Sequence, residues 1–121
     1  ADRQLGDLAH LNNPWQPAEL KMSKMTVEGA QRASVTAGKK KYVSVCGEAA
    51  ADPALAVVLI GLGVDTLSMN AGAIPAVAAV LKSVTKEKAQ QIAAIALQQI
   101  SSAEAKDTAR AALPILDELG L

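Results

Sequence analysis

From Ala54 to Val64 the chain reads Ala-Leu-Ala-Val-Val-Leu-Ile-Gly-Leu-Gly-Val, with no charged or strongly polar side chain. The run is roughly half the ~20 residues a membrane-spanning helix needs, so it is expected to be buried within the protein. Asp52 and Pro53 stand just before it as N-cap and first helical residue. The aspartate accepts bonds from orphan amides, and proline gives up a donor that has no partner there. A helix over 53–62 that is apolar nearly all round demands cover on more than one side. Short β-prone runs flank it, 42–46 before and 65–69 after, and a further helix is expected from about Pro75 to Ser83. This β-α-β-α alternation implies an α/β fold with parallel strands, which are ordinarily buried on both faces.

The remaining segments read as helical cover. Ala1 to Gln16 is broken by Gly6, Asn12, Asn13 and Pro14, which predicts an ordered loop with at most one helical turn. Pro17 opens a helix to residue 37, with Ala18, Met22, Met25, Gly29 and Ala33 at helical spacing and the methionines expected as core filler. Lys24, Glu28 and Arg32 stand four apart and can pair along an adjacent face. Gly38 ends the helix, and Lys39-Lys40-Lys41 is expected to stay solvated while answering the negative end of the helix dipole. Thr85 is placed to cap a helix whose Ala89, Ile92, Ala93, Ala96 and Ile100 form one apolar face. Ser101 and Glu104 make a capping box for a last helix with Ala105, Ala109, Ala112, Leu116 and Leu119 in register, and Pro114 should break it.

Composition bounds the function. At 121 residues with 50% hydrophobic content, one small core is the limit. Twelve basic and twelve acidic side chains cancel, and aromatics make up 2% of the chain, which argues against a nucleic-acid partner. The single cysteine forms no internal disulfide, and no signal peptide precedes the first helix, so a cytoplasmic location is expected. The chain does not begin with Met, which suits a piece of a longer protein.

Cys46 is the principal chemical candidate. It ends a strand and precedes Gly47, which lets the backbone turn sharply, and reacting groups in barrels and open sheets sit at such strand tips. A lone cysteine is usually a buried hydrophobe. Here the strand end, the glycine and the expected proximity of the positive end of helix 53–62 favour a tuned thiol. Glu48 could act as a general base or bind metal, but fixing the loop by accepting backbone amides is the preferred reading. His10, the only histidine, is expected to be a structural donor. Ser68, Met69 and Asn70 should line the same rim as Cys46, with no chemistry assigned.

Cys46-Gly47-Glu48, Asp52-Pro53, Gly61-Leu62-Gly63-Val64-Asp65 and Leu67-Ser68-Met69 together resemble the closing segment of the phosphoenolpyruvate-utilising barrel, most of all in the Enzyme I family of the bacterial sugar phosphotransferase system. The resemblance implies that residues 1–121 are the C-terminal portion of a phosphoenolpyruvate-binding TIM-type (β/α)8 barrel: its last two β-α units plus extra C-terminal helices. It implies that Cys46 protonates the methylene carbon of enolpyruvate as phosphoenolpyruvate gives up its phosphoryl group. Ala1-Asp2-Arg3, Leu8-Ala9-His10-Leu11 and Pro14 to Pro17 resemble the segment after the sixth barrel strand, which implies that Arg3 binds the substrate's phosphate or carboxylate. A Mg2+ cofactor held by residues outside this chain is implied as well. So are a histidine-containing phosphocarrier protein, reached through a missing N-terminal domain, and a homodimer, with no nucleic acid and no membrane insertion. His10 does not resemble the phosphorylated histidine of the family. The interval from Pro17 to Cys46 departs from the family pattern, being longer, with Ser34 to Thr36 and the lysines as altered positions. The piece alone is expected to be inactive. Two alternatives stand beside this reading: a non-catalytic packing or dimerisation module with Cys46 buried, or a piece of a pyruvate phosphate dikinase or phosphoenolpyruvate synthase.

Overall fold

The computed structural model describes residues 6–121. Its elements are a 3-10 turn at Gly6–Leu11, then α1 (Pro17–Ala37), β1 (Ser44–Cys46), α2 (Glu48–Ala51), α3 (Pro53–Leu62) and β2 (Thr66–Ser68). A second 3-10 turn at Ala71–Ala73 leads into α4 (Ile74–Lys82), α5 (Lys86–Leu97), α6 (Ser102–Ala111) and α7 (Ile115–Glu118). The fold is α/β, mostly helical, with one small sheet in which β1 and β2 run parallel.

Helix α3 is the centre of the packing. Ala54 through Leu59 are all buried, so no side of the helix meets water over this stretch. Helices α1, α2, α4, α5 and α6 all contact it. Each Val or Leu so buried contributes about 1.5–3 kcal/mol. Gly61 explains the tightest of these contacts. A β-carbon there would collide with the Ala89 carbonyl and lie 2.9 Å from the Ala93 β-carbon, so only a bare α-carbon lets α5 cross this closely. Two residues further on, Gly63 ends α3 in the left-handed conformation, and its amide bonds the Ile60 carbonyl.

Several expectations are corrected. The 48–52 loop contains a one-turn helix, α2, and the strands are shorter than expected, three residues each. Met22 and Met25 are not core filler: they are 67% and 66% exposed. The buried stripe of α1 runs instead through Leu20 and Val27, with Ser23, Ala30 and Ser34 half-buried beside it. Two branched residues seven apart thus decide which face docks on α3, and the methionines fall on the neighbouring face. Ile100 is 91% exposed because α5 stops at Leu97, after which helical register no longer places it. Leu119 lies past the break at Pro114 and is also exposed. The caps at Thr85 and the Ser101–Glu104 box are present. So is the Lys24–Glu28 pair.

Polar ties join the segment between α1 and β1 to the residue that precedes β2. The Asp65 carboxylate accepts the Val43 amide at 3.0 Å and the Lys40 ammonium at 2.8 Å. Those bonds, Lys40 first and the Val43 amide next, hold the Asp65 carboxyl below the usual carboxylate range. Lys40 also lies 4.7 Å from the Tyr42 ring centre, so the middle lysine of the triplet is engaged rather than merely solvated.

Gly61→Ala should destabilise the chain by about 1–3 kcal/mol, the usual cost of an added methyl in a packed core. Urea unfolding followed by far-UV circular dichroism measures this, and an unchanged midpoint would show that α3 and α5 do not cross as closely as described.

Candidate active site

The site is built by strand alternation. Val43 and Val45 of the first strand segment and Leu67 of the second pack against the helical core. Ser44, Cys46, Thr66 and Ser68 lie on the opposite face, and all four are exposed. The register aligns Ser44 with Thr66 and Cys46 with Ser68. One face of a parallel sheet therefore lies bare, carrying three hydroxyls and the only thiol.

Cys46 is free and exposed at the last rung. Gly47 then takes φ 88° and ψ −153°, a backbone region essentially closed to residues with a side chain. Its amide bonds the Ser68 carbonyl at 3.0 Å, which pins the turn to the end of β2. The chain drops at once into α2, whose Ala50 is fully buried. Asp52 follows and does two tasks. One carboxylate oxygen accepts the amides of Ala54 and Leu55, at 3.0 and 3.2 Å. The other accepts the indole N–H of Trp15 at 2.9 Å, drawing that buried side chain onto the start of α3.

The first amides of α3 are satisfied by Asp52, and the helix that begins two residues after Cys46 is the single turn α2. One expectation is corrected. Among the described residues the Glu48 carboxylate accepts no backbone amide, and Asp52 is the loop-fixing acid. Glu48 is exposed and lines a cleft of about 400 Å3 together with Cys46, Glu19, Met22, Asn12 and Pro14. Ser68 stands on the Cys46 rim as expected, whereas the Asn70 side chain caps the second 3-10 turn through the Ala73 amide. Arg3 lies outside the described residues, as does the side chain of His10. Among the described residues no three His, Cys, Asp or Glu side chains stand together as a metal site. The described part of this cleft brings two carboxylates to it, Glu19 and Glu48.

Two positions escaped the sequence reading. The Trp15–Asp52 bond spans 37 positions, and its only signal is a lone tryptophan between two prolines. Asp65 as the tether of the first strand segment was likewise hidden, although it closes the Gly-Leu-Gly-Val-Asp motif.

Residues 1–86 match the family described as PEP-utilising enzyme, PEP-binding domain, and the chain belongs to that family. Curated relatives of the chain carry phosphotransfer names. It is 44% identical to the phosphoenolpyruvate-protein phosphotransferase of Streptomyces coelicolor over 113 residues, 93% of this chain and 19% of the relative. It is 41% identical over 97 residues to the multiphosphoryl transfer protein of Xanthomonas campestris, covering 80% of this chain and 11% of that protein. The enzyme of Geobacillus stearothermophilus, a phosphoenolpyruvate-protein phosphotransferase, is 37% identical over 92 residues, or 76% of this chain and 15% of the relative. The chain thus spans less than a fifth of the length of these relatives. The family match takes in α1 to α4 and both strands and stops at residue 86, so α6 and α7 lie beyond it. No helix among the described residues is long and apolar enough to cross a membrane.

Gly47→Ala should cost about 1–3 kcal/mol of stability purely through backbone strain, since an added methyl there meets no atom within 4 Å. Urea midpoints compare the two proteins. Equal midpoints would show that the turn after Cys46 does not need the glycine conformation.

Proposed function

We propose that this chain is the C-terminal portion of the phosphoenolpyruvate-binding (β/α)8 barrel of a phosphoenolpyruvate-protein phosphotransferase. Residues 1–121 would form its last two β-α units and closing helices. The single observation that carries this reading is the bare sheet face. Parallel strands are ordinarily covered on both sides, and here the uncovered side holds polar residues with Cys46 at the C-terminal tip, where barrel enzymes place reacting groups. Relatives bearing the phosphotransferase name support the same conclusion.

The whole protein would pass the phosphoryl group of phosphoenolpyruvate to a histidine of its own and on to a phosphocarrier protein serving sugar uptake, releasing pyruvate. Cys46 supplies the proton. As the phosphoryl group leaves, the enolate electron pair forms a C–H bond at the methylene carbon. The S–H bond breaks, and the sulfur keeps its electron pair as thiolate. An enolate left unprotonated would let the transfer run backwards, so the acid makes the step productive. Arg3 binds the phosphate or carboxylate through its planar, permanently charged fork. Residues outside this chain would hold magnesium, which would supply charge neutralisation at the phosphate in the whole enzyme. The protein works as a homodimer in the cytoplasm, where a lone thiol stays reduced.

Cys46→Ala in the full-length protein should still bind phosphoenolpyruvate while turnover falls by at least ~10², the usual contribution of a general acid. Steady-state pyruvate release measures it. Turnover near that of the unaltered protein would end the proton-donor reading.

A further inference from the structure

We infer that Ser68 is a positioning residue for Cys46, its hydroxyl holding the thiolate that forms when the proton is given up. The inference rests on the reading of Cys46 as proton donor. Cys46 and Ser68 are partners on the last rung of the parallel ladder and lie on the same bare face. Neighbouring strands stand about 4.8 Å apart, so the two β-carbons are side by side and a staggered rotamer brings Oγ within reach of Sγ. The backbone fixes this pairing from the other side too, because the Ser68 carbonyl accepts the Gly47 amide at 3.0 Å. Any shift of the serine would drag the turn that presents the thiol.

The thiolate left by proton transfer needs a hydrogen-bond donor, and Ser68 is the residue paired with Cys46 across the ladder. The neighbouring cleft is lined by Cys46 with Glu48 from α2 and Glu19 from α1, and no cation lines it among the described residues. A hydroxyl has one donor and two acceptor positions, so rotation about the Ser68 side chain lets it donate to the sulfur once the proton has left. When the S–H bond breaks and the C–H bond forms, the negative charge on sulfur meets the serine O–H. Water later returns a proton to the sulfur, and the serine keeps its own.

The test uses the full-length protein and two readouts: kcat and KM for phosphoenolpyruvate, and the pH dependence of iodoacetamide alkylation at Cys46, read by peptide mass spectrometry. Ser68→Ala should raise the alkylation midpoint by about one pH unit and lower kcat by about tenfold, the equivalent of one unit of lost anion stabilisation. KM should hardly move. Ser68→Gly, which removes the hydroxyl without adding an atom, should behave alike, and Ser68→Thr, which keeps it, should restore both values. Lys106→Gln, at an exposed position of α6 away from the sheet, should leave both as they were. An unchanged midpoint in the folded Ala and Gly variants, or an equal shift in the Thr variant, overturns the inference. Failure of the proton-donor reading shows separately, as full turnover in Cys46→Ala, because the alkylation midpoint needs no substrate.

Discussion

A helix buried on every side is the constraint on which this structure depends. With Ala54 to Leu59 all closed to water, α3 cannot lie on a surface, and the other elements are arranged as its cover. The two strands join it through Val43, Val45 and Leu67, which turn toward the core. Alternation then forces Ser44, Cys46, Thr66 and Ser68 to the far side. Presentation of the thiol is therefore a consequence of how α3 is buried.

Two aspartates bracket that helix and convert an apolar association into a defined geometry. Asp52 caps its start and holds Trp15, while Asp65, just after its end, holds Val43 and Lys40. Burial alone is non-directional. Hydrogen bonds from carboxylates fix which segments meet, and each aspartate ties a stretch before the first strand or at its start to one end of α3. The Gly-Leu-Gly-Val-Asp stretch gains a physical account here: Gly61 admits α5, Gly63 caps α3, Val64 is buried and Asp65 tethers the strand.

Much of this was legible in the sequence because the signals are local. Helix 17–37 and helix 53–62 were readable from their prolines and closing glycines, and the Ser101–Glu104 box from its spacing. The outward methionines were not, because helical spacing names a stripe without saying which of two adjacent stripes finds a partner. Leu20 and Val27 won that competition through branched, well-packed shapes. At the site, Cys46 and the rim position of Ser68 could be read from strand ends. The Asp52–Trp15 bond could not, since it joins residues that only the tertiary fold brings together. Family resemblance supplied a role for Cys46 that spacing alone would not have assigned, and the proposed function rests on it together with the bare sheet face.

The central claim is that this face lines the phosphoenolpyruvate site of the whole protein. Alkylation of Cys46 by iodoacetamide, followed by peptide mass spectrometry in the full-length protein with magnesium present, tests it most directly. The rate should fall as phosphoenolpyruvate is added, along the same saturation curve as turnover. A Cys46 alkylation rate untouched by saturating phosphoenolpyruvate, in protein that still turns over, would contradict the account.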